Sequence, residues 1–213
     1  MFFKQILTGG DRNFGYLIAD EASKEAAIVD PSYSPQMLVE EANKMQFKIK
    51  YIINTHDHCD HTNGNKRTQA LTGARIVQHA AGNDRADINV KHGDSLWLGT
   101  LELRLIHTPG HTPDSMCILA GNKLCTGDTL FVGKVGGTDL GKAARQEYDS
   151  LHEKLMCLAD DVEIYPGHNY GVTPTSTIGN EKHTNPFLLQ PDFDSFVDLK
   201  RNWAEYKRIH GIK

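Results

Sequence analysis

The chain has 213 residues, 39% of them hydrophobic, and a formal net charge of -4. This length can bury one sizeable core, so we expect a single domain over residues 1–213. The acidic balance disfavours a nucleic-acid partner, and no segment approaches the about 20 apolar residues of a membrane span or has the pattern of a signal peptide. Four scattered cysteines without a paired metal spacing fit reduced thiols, and we therefore expect a cytoplasmic protein.

Strand-like and helix-like segments alternate through the first part of the chain. Apolar, β-favouring runs bounded by turn residues predict strands at residues 2–7, 14–19, 26–29, 51–54 and 75–78. Helical spacing of apolar residues predicts a helix over residues 35–46, which begins at Ser34-Pro35, and a second helix is predicted at 66–71. The alternation of strands and helices indicates an α/β fold.

The middle of the chain predicts a second sheet. Residues 82–94 are polar and rich in turn residues, and the strands predicted after them lie at 95–98, 101–106, 115–119, 122–125 and 162–165. The glycine-rich residues 134–142 predict a mobile loop. Helices are predicted at 148–158 and 196–206, and the aromatic stripe of the last one is typical of a helix docked on the core.

The densest group of polar side chains follows the buried strand at residues 51–54. His56, His58, Asp60 and His61 come directly after it, with Asp57 between them. Burying so many imidazoles and carboxylates requires a counter-charge, which a metal supplies. Open α/β sheets also place their sites at the carboxyl ends of strands. The segment therefore predicts a metal site in which one loop supplies ligands for two adjacent metal positions.

Three further strand ends each deliver one ligand-forming residue. His111, Asp128 and His168 each follow a glycine, which lets the backbone turn sharply and come close to a metal. Together with the central group they make five histidines and two aspartates, enough for two divalent metals with an open position for water. Imidazole and carboxylate suit Zn, Fe or Mn, and the absence of a thiolate argues against a closed structural zinc site.

The order of these motifs resembles the metallo-β-lactamase superfamily. His-Xaa-His-Xaa-Asp-His is followed by Gly-His, Gly-Asp and Gly-His, and the pattern covers residues from about 50 to 170. The resemblance implies an αββα four-layer sandwich with the metals at one edge. It also implies the ligand set: one metal held by His56, His58 and His111, a second held by Asp60, His61 and His168, and Asp128 bridging the two.

Within the superfamily the chain is similar to the glyoxalase II group, the hydroxyacylglutathione hydrolases, and to the persulfide dioxygenases. True β-lactamases are secreted and typically carry a cysteine in place of Asp128, and the nucleic-acid-cleaving branch has a large inserted domain for which this chain has no room. Residues 126–131, 165–170 and 176–188 resemble both remaining groups.

The two groups imply different chemistries for the same residues. In the hydrolase, which we expect, two metals activate water to attack a thioester such as a hydroxyacyl-glutathione, and Asp60 and Asp128 act as catalytic residues that orient the water. In the alternative, His56, His111 and Asp128 hold a single Fe(II) that binds a persulfide and O₂. A non-catalytic metal-binding protein of this fold is a third hypothesis, which the intact ligand set argues against.

The substrate-binding residues are less clear from the sequence. The resemblance implies a basic anchor for glutathione where this chain has Gly137, so Lys134, Lys142 or Arg145 are the predicted replacements. Tyr170 matches a tyrosine that contacts glutathione in the hydrolases. We expect a small-molecule, thiol-derived substrate as partner and a homodimer as the candidate assembly, with no nucleic-acid or membrane partner.

Overall fold

The first sheet contains six strands and is built almost entirely from the first ninety residues. The protein is described by a computed structural model that covers residues 1–82 and 86–212. The sheet has the order β1 (Phe2–Gly9), β2 (Asn13–Ala19), β3 (Glu25–Val29), β4 (Lys48–Ile53), β5 (Arg75–His79) and β6 (Ile88–Val90). The β1–β2 and β2–β3 pairs are antiparallel, whereas β3 to β6 run parallel. The parallel part brings several carboxyl ends to one edge.

The second sheet also has six strands. Four of them, in chain order, are β7 (Ser95–Leu98), β8 (Leu101–His107), β9 (Met116–Ala120) and β10 (Lys123–Gly127). A short ribbon follows, formed by β11 (Leu130–Phe131) and β12 (Lys134–Val135), and the sheet is completed by β13 (Glu163–Pro166) and β14 (Ser176–Thr177). The sheet order is β14-β13-β10-β9-β8-β7, and β13 pairs in parallel with β10. That parallel pair places Asp128 and His168 at the same edge.

Helices cover the outer face of each sheet. Next to the first sheet lie α1 (Pro35–Lys44), α2 (Cys59–Thr62) and α3 (Asn65–Thr72). Next to the second lie α4 (Lys142–Ser150), a π-helical turn that continues it (Leu151–Leu155), α5 (Ile178–Thr184), α6 (Phe193–Arg201) and α7 (Trp203–His210). No helix in the described part of the chain is long and apolar enough to cross a membrane.

Three apolar layers hold these elements together. The central layer joins the two sheets, with residues such as Tyr16 and Ile53 from one and Leu105 and Ile118 from the other. Because successive side chains of a strand point to opposite faces, the neighbours of these residues pack outward against the helices. The predicted αββα four-layer sandwich is therefore confirmed.

The structure differs from the prediction in several segments, since β14 and α5 have no predicted counterpart and α4 begins before the helix predicted at 148–158. Residues 82–94, expected to be only polar and turn-rich, contain the short strand β6, and part of that segment lies outside the described residues. The predicted loop at 134–142 begins with β12 and ends where α4 starts. The single carboxyl-terminal helix is two helices, because the backbone at Asn202 leaves the helical conformation between them.

The docking of α6 is testable through Phe196. Its side chain is fully buried against the rings of Tyr148 and Phe187. We expect Phe196→Ala to lower the free energy of unfolding by about 3–5 kcal/mol, measured by urea denaturation, because it leaves a cavity in the outer core. Ile209→Ala, at an exposed position of α7, should change it by less than about 0.5 kcal/mol. Equal effects would contradict this role for α6.

Candidate metal centre

All seven predicted ligand side chains meet at one edge of the sandwich. The central motif leaves β4 and enters α2, so His56 and His58 precede the helical turn that carries Asp60 and His61. The other three come from the second sheet: His111 from the loop between β8 and β9, Asp128 directly after β10, and His168 just beyond β13. Residues more than 100 positions apart in the chain are thus neighbours, as His61 and His168 are.

The first group consists of three imidazoles. The Nδ1 atom of His58 lies 3.1 Å from Nε2 of His56 and 3.1 Å from Nε2 of His111. The three nitrogens are close enough to share one metal ion. His56 is buried whereas His58 is exposed, so the group opens to solvent on the His58 side. An open catalytic metal position requires such access.

The second group combines a carboxylate with two imidazoles. The Nε2 atoms of His61 and His168 are 3.2 Å apart, and Asp60 Oδ2 lies 3.5 Å from the first and 3.4 Å from the second. Both rings are almost completely buried. These three side chains also form a set that can hold one ion.

Asp128 lies between the two groups. Its Oδ1 atom is 3.4 Å from His61 Nε2, and its Oδ2 atom is 3.4 Å from His168 Nε2 and 3.6 Å from His111 Nε2. Oδ1 is buried without a hydrogen-bond donor. A buried carboxylate oxygen without a donor is satisfied by a cation. The donor set therefore fits divalent metal of the Zn, Fe or Mn type.

The protonation states of His56, His111 and Asp128 suit metal binding. Burial lowers the pKa of His56 well below its usual value, and burial also lowers the pKa of His111. Burial acts to raise the pKa of Asp128, but the His168 hydrogen bond and the charges on His61 and His56 outweigh it and hold this pKa below its usual range. Neutral imidazoles and an ionised carboxylate are the forms that ligate metals.

Asp30 is a site residue that the sequence analysis missed. Its fully buried Oδ2 lies 3.0 Å from His61 Nδ1, while its carboxylate also accepts hydrogen bonds from the backbone N–H and hydroxyl of Thr55. Burial acts to lower the pKa of His61, but the hydrogen bond and charge of Asp30, with Asp128 and Asp60, raise it to about 9. In the sequence, Asp30 merely follows the strand predicted at residues 26–29, and no motif marks it as a site residue.

Other ligands are anchored in the same way, by groups distant in the chain. Asn13 Nδ2 donates to Asp60 Oδ2 at 3.1 Å, and His168 Nδ1 donates to the backbone carbonyl of Asp11 at 2.9 Å. His111 Nδ1 donates to the carbonyl of Gly137 at 2.8 Å. These contacts fix which ring nitrogen faces the centre. Periodicity cannot indicate them, because each depends on where a loop lies in the folded chain.

The predicted substrate residues fall into two sets. The Tyr170 ring stacks on His168 with centroids 4.6 Å apart, and Lys134 Nζ lies 3.8 Å from the centroid of the Tyr170 ring. Two cavities lie near the site, one lined by residues that include Lys134 and Tyr170 and the other by residues that include Gly136 and Gly137. Lys142 and Arg145 line neither of them, and Arg145 instead covers the ring of Phe193 and pairs with Asp149. A role of Lys142 and Arg145 in substrate binding stays a prediction.

Comparison with known proteins identifies the superfamily to which the chain belongs. The model of the metallo-beta-lactamase superfamily matches residues 8–168, and the chain belongs to that superfamily. It is 38% identical over 178 residues to a hydroxyacylglutathione hydrolase of Polaromonas sp., covering 80% of this chain and 67% of the relative. It is also 33% identical over 197 residues to the mitochondrial persulfide dioxygenase ETHE1 of Homo sapiens, covering 89% and 76%.

A solved structure shows similarity over nearly the whole chain. The crystal structure of ETHE1 from Myxococcus xanthus superposes with a TM-score of 0.89 at 32% identity, covering 95% of this chain and 91% of that one. The resemblance to the glyoxalase II and persulfide dioxygenase group is therefore confirmed. One relative is a hydrolase and the other a dioxygenase, and the chain is similarly identical to both. The comparisons therefore identify the superfamily but do not distinguish the two reactions.

The role of Asp30 can be tested by metal binding. We expect Asp30→Asn to weaken the affinity for Zn²⁺ by about 10- to 100-fold, because the carboxylate that orients His61 is lost. Competition with a chromophoric chelator measures this. The matched control is Asp20→Asn. The Asp20 carboxylate accepts hydrogen bonds from the backbone N–H groups of Ala22 and Ser23 and contacts no predicted ligand. Equal losses in the two variants would contradict the assignment.

Proposed function

We propose that this protein is a metal-dependent thioester hydrolase with two divalent metals at its active site. The observation that carries the proposal is the pair of ligand groups on either side of Asp128. A single ion would leave the buried second group of Asp60, His61 and His168 without a partner for its converging atoms. Two ions use every one of these side chains.

Each residue then has a defined task. His56, His58 and His111 would hold one metal, Asp60, His61 and His168 the other, and Asp128 both. Bound divalent metals lower the pKa of water and polarise a carbonyl oxygen, which is the chemistry that thioester hydrolysis requires. The carboxylates of Asp60 and Asp128 accept hydrogen bonds from the attacking water and orient it. The exposed side of His58 gives the thioester access.

A large cavity beside the metal centre supports an anionic substrate. It has a volume of about 1190 Å³, and its lining includes Arg12, Lys134, Tyr170 and Lys207. Tyr170 connects it to the metal centre through its stacking on His168. The cavity is therefore the proposed site for the thiol carrier of the substrate.

The charges in this cavity are unbalanced. Burial and the charge of Lys207 lower the pKa of Lys134, and Arg12 adds a further positive charge. Among the residues that the structure describes, neither Lys134 nor Lys207 forms an ion pair. Arg12 pairs with Asp11, and the lining carboxylates Glu163 and Glu181 bind Lys123 and the backbone N–H of Gly133. Within the described part of the chain, Lys134 and Lys207 are left without carboxylate partners and repel each other, and a bound anion removes that repulsion. We therefore propose a carrier with carboxylate or phosphate groups, such as glutathione or coenzyme A.

A second candidate function is iron-dependent oxidation of a persulfide. It is favoured by the extent of the matches, since the chain covers 91% of ETHE1 from Myxococcus xanthus but 67% of the hydrolase from Polaromonas. In that case His56, His111 and Asp128 would hold a single Fe(II) as a two-His, one-carboxylate site. The expected single domain, homodimer and cytoplasmic location stay predictions under either function.

Metal content and His58 distinguish the two functions. We expect two divalent metals per chain, loss of thioester hydrolysis after chelation, and no stoichiometric O₂ uptake with glutathione persulfide. His58→Ala should lower kcat/KM for the thioester by about 100-fold or more, because a metal ligand is lost. His183→Ala, at an exposed position of α5, is the control. One iron per chain with O₂ uptake that survives His58→Ala would establish the dioxygenase instead.

The carrier can be identified by comparing three thioesters of one acyl group. We expect Lys207→Met to raise KM about 10-fold for acyl-glutathione or acyl-coenzyme A, because a charge-assisted contact is lost, with kcat retained. A lower KM for acyl-glutathione would indicate recognition of carboxylates, and a lower KM for acyl-coenzyme A would indicate recognition of phosphates. The neutral acyl-N-acetylcysteamine should be unaffected, and Lys44→Met, at an exposed position of α1 outside the cavity, is the matched control. An equal rise in KM for the neutral carrier would contradict an anionic site.

A further inference from the structure

We propose that Lys200, on the carboxyl-terminal helix α6, is a positioning residue for the metal ligand His111. It would act through the backbone of Gly136 and Gly137, and the inference rests on the metal site of the proposed function. Lys200 lies 32 residues beyond His168, the last predicted ligand in the chain, and has no motif around it. Its relation to the site follows from three contacts.

The first contact is the anchor of His111 itself. Nδ1 of this ring donates to the carbonyl of Gly137, which leaves Nε2 facing His58 at 3.1 Å and Asp128 at 3.6 Å. His111 comes from a loop and is not held by a strand or helix of its own. The position of the Gly137 carbonyl therefore helps to determine where the ligand nitrogen lies.

The second contact fixes the peptide next to that carbonyl. Lys200 Nζ donates to the carbonyl of Gly136 at 2.7 Å. Gly136 is packed so closely that a Cβ atom there would lie 2.2 Å from the backbone oxygen of Asp128 and 3.1 Å from Cβ of His111. A shift of this peptide would consequently be transmitted to two predicted ligands.

The third contact joins Lys200 to the other side of His111. Its ammonium pairs with the carboxylate of Glu147 on α4, and both side chains are almost completely buried, with 7% and 1% exposure. The backbone of Glu147 also packs against Gly110, the residue before His111, where an added Cβ would lie 2.5 Å from Glu147 Cα. The Lys200–Glu147 pair thus contacts the backbone on both sides of His111, at Gly110 and at Gly136.

The energetics favour a positional role for this pair. Desolvating an ammonium and a carboxylate costs about as much as their attraction returns, so a buried ion pair adds little stability over apolar residues of similar size. The Lys200–Glu147 pair also binds the carbonyl of Gly136, so its main contribution is to fix the position of the backbone beside His111. A second lysine offers a comparison: Lys182 Nζ donates to the carbonyl of Leu158 and to the carboxylate of Asp160, and neither partner contacts a predicted ligand.

Metal binding by variants of the full chain tests the proposal. Lys200→Met leaves Glu147 without its partner, so the double variant Lys200→Met with Glu147→Gln is measured beside it to remove the buried charge. Zn²⁺ affinity is determined by chelator competition and folding by thermal unfolding of the metal-free protein. We expect both variants to bind Zn²⁺ at least about 10-fold more weakly. Lys182→Met should bind it as the wild type does, and Lys200→Arg should restore most of the affinity.

A double-mutant cycle with His111→Ala shows whether the effect passes through that ligand. Once His111 is absent, Lys200→Met should cause no further loss of Zn²⁺ affinity. Unchanged affinity in the folded double variant, additive losses in the cycle, or failure of both Lys200 variants to fold would overturn the positioning role. A wild-type protein that binds no Zn²⁺ would instead refute the metal site, which separates the two failures.

Discussion

The burial of the Asp128 carboxylate among histidines is the constraint on which the rest of the centre depends. A carboxylate removed from water is stable only when positive charge compensates it. Around it lie the ring nitrogens of His61, His111 and His168, all within 3.6 Å. Burial lowers the pKa of His56 and of His111, so these two rings do not supply that charge. Divalent cations would balance the charge of the carboxylate and bind the converging ring nitrogens. All of these groups lie at the edge where the two sheets meet.

A second requirement is that the ligands stay in place. His61 is held by the buried Asp30, Asp60 by Asn13, and His168 by the carbonyl of Asp11. Asp11 lies in the loop between β1 and β2, Asn13 is the first residue of β2, and Asp30 follows β3, so all three anchors are far from their ligands in the chain. The first sheet therefore does more than carry the central motif, because the loop between β1 and β2 also orients His168, which the second sheet delivers.

The carboxyl-terminal helices contact the site from beyond the segment that the family model matches. The family model ends at residue 168, before α6 and α7 begin. Lys207 on α7 lines the cavity beside Tyr170, and Lys200 on α6 contacts the backbone that anchors His111. Trp203 lines both cavities near the site. Both helices thus contribute side chains to the surroundings of the candidate metal centre.

The sequence by itself determined the two-sheet fold and the seven residues that converge on the metal centre. Buried strands read as continuous apolar runs, and ligands cluster at strand ends, so both features are local patterns. It could not determine that Asp30 and Asn13 support the site, that Lys207 lines the cavity, or that the last helix divides at Asn202. The strand β6 was missed because three residues give too short a pattern. Only the tertiary structure decided these points, because each depends on which distant segments the packing of the sheets and helices brings together.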